Sequence, residues 1–131
     1  MTIDRPGYTE FLATKATTPV LRGIAAPPRL HDALFPFQAR CVDFLLRAGS
    51  GGLFLDTGLG KTLCELEWCR HAAAASNGRA LILTPLAVAW QIKREADRFG
   101  HEARVIRQQA DASDGINICN YDRLDRLDAD Y

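Results

Sequence analysis

No stretch of this chain restricts its fold more than FLDTGLGKTL, running from Phe54 to Leu63. The apolar run Gly52-Leu53-Phe54-Leu55 before it reads as a buried strand, and the segment from Lys61 to Ser76 reads as a helix. Strand, glycine loop and helix form the context in which a GK[ST] ending binds phosphate. In that context the backbone N–H groups of Thr57, Gly58, Leu59, Gly60 and Lys61 are predicted to form a concave nest at a helix N-terminus, where the dipole favours negative charge. Lys61 would reach the β- and γ-phosphates of a nucleotide, and the Thr62 hydroxyl would ligate Mg²⁺. Set against the strict pattern GxxxxGK[ST], Leu55 occupies the place of the first glycine. A glycine turn without a ligand would meet the same backbone demands, but it requires neither Lys61 nor Thr62.

Around this loop the apolar periodicity alternates between two kinds of element. Apolar residues at Phe37, Cys41, Phe44 and Leu45, with Val42 and Leu46 beside them, predict an amphipathic helix; Pro36 suits its first turn and Gly49 its stop. Gln38 lies in the first turn. It reads either as a surface glutamine or as an adenine reader, since a carboxamide matches the donor and acceptor on adenine's N6 and N7. The helix after the loop carries Leu63, Leu66 and Cys69 on one side with Trp68 adjoining, and Asn77-Gly78 ends it. The run 79–84 predicts a buried parallel strand, 85–99 a second crossover helix closed by Gly100, 103–106 a third strand, and INICNY (116–121) an alternating fourth. Residues 108–114 read as a loop, and 122–131 as the start of a polar helix or an unfinished connection. Strands alternating with helices specify an α/β fold with a parallel sheet. Residues 1–30, with four prolines and two glycines, read as an irregular arm, apart from a short helical piece near Tyr8 to Lys15.

Composition narrows the class. Sixteen basic and sixteen acidic residues balance in 131, so no global basic footprint advertises nucleic acid. Cys41, Cys64, Cys69 and Cys119 lack the paired spacing of a zinc site and read as small buried hydrophobes in a reducing cytosol. His31, His71 and His101 read as surface or helix-end residues. The longest uncharged run, Ala80 to Ile92, is 13 residues and too short to span a bilayer, so neither secretion nor a membrane span is expected, and the expected compartment is the cytoplasm of a bacterium or phage-infected host.

PFQ, then DTGLGKT, then TPLAVAWQ, with ICNYDRL behind them, stand in an order that resembles the first RecA-like lobe of superfamily 2 helicases, specifically the Snf2-like branch and the DEAD/DEAH-type helicases of phages. The resemblance covers about Leu34 to Leu127, and the phosphate loop is its only highly specific part. It implies a partial RecA-like P-loop lobe spanning 31–131, with ATP and Mg²⁺ as cofactors and nucleic acid, DNA in preference to RNA, as partner. LFPFQARCVDFLL looks like the Q motif, placing Gln38 on the adenine with Phe35 or Phe37 near it. DTGLGKT is similar to motif I of that branch, where the position of Leu55 is often not glycine. Thr84, Pro85 and Leu86 look like motif Ia and Asn120-Tyr121 like the next motif, both facing the nucleic-acid backbone. Taken without the resemblance, Thr84-Pro85 is equally a strand end before a helix-starting proline, and Asn120-Tyr121 a capping and core pair.

The family's acidic Walker B strand has no match before Tyr131. DRLDRLDAD offers Asp125, Asp128 and Asp130, but no apolar strand precedes them. The expectation is therefore the N-terminal fragment of an ATP-dependent helicase or translocase, completed by the rest of the lobe and a second RecA-like lobe, and itself nearly inactive in hydrolysis. Two alternatives stand beside it: a small P-loop kinase or NTPase, for which no arginine-rich lid is recognisable, and a non-catalytic nucleotide-binding remnant.

Overall fold

The computed structural model describes residues 6–15 and 21–128. Parts of the predicted arm (1–5 and 16–20), together with Asp130 and Tyr131, lie outside the described residues. In chain order the elements are α1 (Pro6–Lys15), α2 (Pro36–Ala48), α3 (Lys61–Ala75), β1 (Arg79–Thr84), α4 (Leu86–Arg98), β2 (Ala103–Val105) and β3 (Gly115–Asn120), with short 3-10 turns at Gln109–Asp111 and Tyr121–Arg126. The architecture is α/β, a three-stranded parallel sheet flanked by helices.

The sheet order is β1-β3-β2. In register, Ile82 of β1 and Val105 of β2 both stand opposite Ile118, and Ala80 and Ala103 opposite Ile116. β3 is thus the central strand, and every residue from Ile116 to Asn120 is buried. INICNY does form a strand, over Gly115–Asn120, but its burial does not alternate, as befits a central strand paired on both edges.

One face of the sheet packs under α3 and α4, where Leu66 and Cys69 meet Ile82, Ile116 and Ile118, with Ala89, Ile92 and Ala96 completing the cluster. The small residues of α4 let the helix lie close to the strands. On its other flank α3 meets α2 through Leu63, Cys64, Val42 and Leu46, joined by Leu34 and partly buried Ile24 and Leu30. Helix α3 is therefore the spine of the molecule, clasped between sheet and α2. The lead-in is tied to this core: the N–H groups of Arg22, Gly23 and Ile24 donate to the carbonyls of Ala48, Arg47 and Leu46, filling the open C-terminal turn of α2. Gly49, at φ +80, ends that helix as expected.

Two sequence expectations are corrected here. The run Gly52-Leu53-Phe54-Leu55 is not a strand: residues 51–56 form no ladder, and Phe54 is 97% exposed. A strand exists only by pairing. Among the described residues β1 pairs with β3 alone, and nothing brings 52–55 beside a partner. The buried face of α2 is also rotated from the predicted one. Gln38, Val42 and Leu46 face inward, whereas Phe44 is 62% exposed and Phe37 borders solvent. The i, i+4, i+8 series from Gln38 wins because Val42 and Leu46 pack against Leu63 and Cys64 of α3 while Gln38 finds a partner in the glycine loop.

Candidate phosphate-binding cleft

The loop between residue 56 and α3 owes its path to two glycines in the left-handed region, Gly58 at φ +81 and Gly60 at φ +74. Their surroundings differ. A Cβ on Gly58 would meet open space, whereas one on Gly60 would lie 2.3 Å from Gln38 Nε2. That contact exists because Gln38, almost fully buried, is committed at both ends of its carboxamide. Its Oε1 accepts from the Phe35 N–H at 2.8 Å, and its Nε2 donates to the Leu59 carbonyl at 2.8 Å. The first bond fixes the start of α2 behind extended Phe35. The second ties that helix start to the glycine loop.

Lys61 folds back over the loop. Its ammonium donates to the carbonyls of Leu55 and Asp56, each at 2.9 Å. The start of α3 has Gly60 as its cap and no side-chain capping bond, which leaves its first turn open to an anion. The Thr62 hydroxyl is half-buried beside it. Together with Phe35, Phe37, Gln38 and the α4 residues Gln91, Glu95, Arg98 and Phe99, residues 57–63 line a cleft of about 740 Å³, a volume in the range of small-molecule sites. The rings of Phe35 and Phe37 stack at 6.4 Å with planes 10° apart, giving one wall an exposed aromatic surface. All the residues predicted to hold nucleotide, Phe35, Gln38, Thr57, Gly58, Leu59, Gly60, Lys61 and Thr62, therefore border one cavity.

The residues expected to face nucleic acid are distributed differently. Thr84 is buried at the end of β1, Pro85 precedes α4 in extended conformation, and Leu86 is exposed. Asn120 is buried and serves as a cap: its Oδ1 accepts from the Asp122 N–H at 3.4 Å. Of the four, only Pro85 and Leu86 offer surface to a ligand.

The histidine expectation is corrected. His71 and His101 are each only 4% exposed, because both turn toward Glu67, a carboxylate wholly buried on α3. Glu67 Oε1 accepts from the His31 N–H at 2.8 Å and from Arg70 Nη2 at 2.7 Å, and lies 3.0 Å from His71 Nε2. His101 Nε2 stands 3.6 Å from Glu67 Oε2 without a hydrogen bond. The sequence signal was the placement of Glu67 among Leu63, Cys64 and Leu66, with Arg70 and His71 at i+3 and i+4. A carboxylate on an apolar face needs partners, and helical spacing supplies them. Burial alone would raise the Glu67 pKa, but hydrogen bonds from Arg70, the His31 backbone and His71 hold it below its ordinary value. For His101, burial pushes the pKa down, partly countered by Glu67.

All four cysteines are free; Cys64, Cys69 and Cys119 are buried and Cys41 half-buried. No group of three or more His, Cys, Asp or Glu among the described residues is arranged to hold a metal, and no helix among them is long and apolar enough to cross a membrane. No protein-family model and no curated protein matches this chain. The fold and cleft define an α/β protein with a three-stranded parallel sheet and a glycine-lysine loop opening on a cavity.

Proposed function

We propose that this chain is the nucleotide-binding part of a RecA-like P-loop lobe from an ATP-dependent helicase or translocase, with Mg²⁺-ATP in the cleft described above. One observation carries the reading: the Gln38 carboxamide, the Leu59 carbonyl and the Lys61-Thr62 helix start converge on one cavity. Residues 21 positions apart in sequence are thereby hydrogen-bonded side by side in the wall of one cavity. Gly58, where a side chain would meet nothing within 4 Å, lets the loop backbone approach an anion closely, and Lys61 supplies an exposed charge. The stacked Phe35-Phe37 pair offers a flat apolar wall for a base.

The chemistry of the cleft fits a magnesium nucleotide. Magnesium in such sites keeps water and phosphate oxygens as most of its ligands, so the single Thr62 hydroxyl is an adequate protein contribution. Bound nucleotide would supply the phosphates that Lys61 meets when it leaves the carbonyls of Leu55 and Asp56. Gln38 is already engaged twice, so its role toward adenine falls to its second Nε2 hydrogen and remaining Oε1 lone pair. For a nucleic-acid track, support rests on exposed Pro85 and Leu86 at the start of α4.

A second reading is a self-satisfied loop without ligand, drawn from the same Lys61 contacts. Titration of a fluorescent ATP analogue with Mg²⁺ separates the two. Saturable binding that Lys61→Ala abolishes is the expected result. Absence of binding by the wild-type chain, or equal binding by the variant, would overturn the nucleotide reading.

A further inference from the structure

The cluster around Glu67 lies outside the cleft, yet its bonds close a circuit around it. Leu59 of the loop accepts from Gln38, whose other end holds the Phe35 N–H. Four residues upstream the His31 N–H donates to Glu67, and Glu67 sits on the helix that the loop opens. The His31 ring extends the circuit to a third wall. Its Nδ1 accepts from the Ala33 N–H at 3.0 Å, which places the ring proton on Nε2, where it donates to the Phe99 carbonyl at 3.0 Å. Ala33, Phe35 and Phe99 all line the cleft.

From this geometry we infer that Glu67 and His31 form a clasp that sets the spacing between the base-side wall of the cleft (residues 33–38 and Phe99) and the phosphate loop. Glu67 is a positioning residue: it touches no ligand and acts through His31. The inference rests on the nucleotide reading above. Its physical basis is that the segment 29–35 contains no helix or strand of its own, so its position is fixed by these side-chain bonds and by Leu34 in the core. A charged acceptor shared by a backbone N–H and an Arg fork is stronger than a neutral one. The phosphate end depends less on the clasp: Lys61 is held by the carbonyls of Leu55 and Asp56, and the one tie from the base-side wall to the loop, Gln38 to Leu59, contains neither Glu67 nor His31.

Loosening the clasp should therefore weaken ligands that bridge both ends and spare ligands confined to one. The probes are Mg²⁺-ATP and Mg²⁺-tripolyphosphate, which carries the phosphates without the base, measured by isothermal titration on the full chain. Glu67→Gln keeps the side-chain shape and an acceptor for His31 while removing the charge. His31→Ala keeps the backbone donor and removes the tie to Phe99, so it covers the case in which Glu67→Gln fails to fold. Each variant is expected to bind ATP about tenfold more weakly, about 1.4 kcal/mol, with tripolyphosphate affinity unchanged. Equal loss on both ligands, or no loss on either, would overturn the clasp. Failure of the wild-type chain to bind either ligand would instead overturn the nucleotide reading on which it rests.

Discussion

Substituting Gly60 with alanine tests the link between Gln38 and the loop, and its cost can be worked from two contributions. At φ +74 any β-carbon meets the left-handed steric penalty, about 1–2 kcal/mol. The same carbon would lie 2.3 Å from Gln38 Nε2, so the carboxamide must leave. That breaks its bond to the Leu59 carbonyl and strands a buried amide, a further loss of about 1–3 kcal/mol. Gly58→Ala supplies the control: its φ of +81 carries the same backbone penalty, but a β-carbon there meets nothing within 4 Å. The measurement is urea unfolding followed by circular dichroism. With a slope of about 1–3 kcal/mol per molar, Gly60→Ala should lower the midpoint by about 1–2 M, and Gly58→Ala by roughly half that. In the double variant Gly60→Ala/Gln38→Ala the clash is gone, so the two losses should fall short of additivity by about 1–3 kcal/mol. Equal destabilisation by the two glycine variants, or strict additivity in the cycle, would refute the reasoning that Gln38 is braced against the loop.

Acid should destabilise the protein through the Glu67 cluster. His101 and Glu67 both have native pKa values below their ordinary ones; the unfolded chain then binds more protons at each, and stability falls as pH falls. The His101 contribution is present above about pH 6.5 and is lost as pH drops through the lowered native value, and the Glu67 contribution follows below about pH 4.5. Thermal melts between about pH 8 and pH 5 should show a declining midpoint that His101→Gln flattens; a wild-type midpoint constant across that range would contradict the burial of a neutral His101. Thiol reactivity offers a separate check on the core. Burial pushes the Cys69 thiol up to about 12, with Glu65 adding to the effect, so native protein treated with iodoacetamide should carry label at Cys41 and none at Cys69 until denatured. Comparable labelling of the two would contradict the packing of α3 on the sheet.

Elements whose sequence pattern matched their surroundings were legible. The run 79–84 is a strand in the sequence and in the fold, because β-branched and leucine residues there are paired and covered. Helix α4 and its closing glycine followed from period and composition alone, as did the Gly49 and Gly78 stops, both of which adopt positive φ. Phe54 shows where local pattern fails. An apolar tetrapeptide specifies only that pairing would be favourable, and the partner strand is a fact of the whole fold. The face of α2 failed for a related reason: counting apolar residues favoured the phenylalanines, whereas the buried face is the one that Val42 and Leu46 pack on α3, and it includes a polar side chain that reaches a carbonyl 21 residues away. In the candidate site the loop residues could be read from glycine spacing and the GKT ending. The bonds that brace them, through Glu67, His31 and Phe99, could not, since the partners are up to 68 residues apart.

The central claim is that the glycine loop and the start of α3 receive a nucleotide's phosphates, and backbone amide NMR tests it at the atoms concerned. Adding Mg²⁺-ATP to the isotopically labelled chain should shift the amides of Gly58, Leu59, Gly60, Lys61 and Thr62 together with the Gln38 side-chain amide, and Lys61→Ala should abolish those shifts. Unchanged loop amides at saturating nucleotide, or shifts confined to the groove beside Gly23, Ser76 and Leu81, would contradict it.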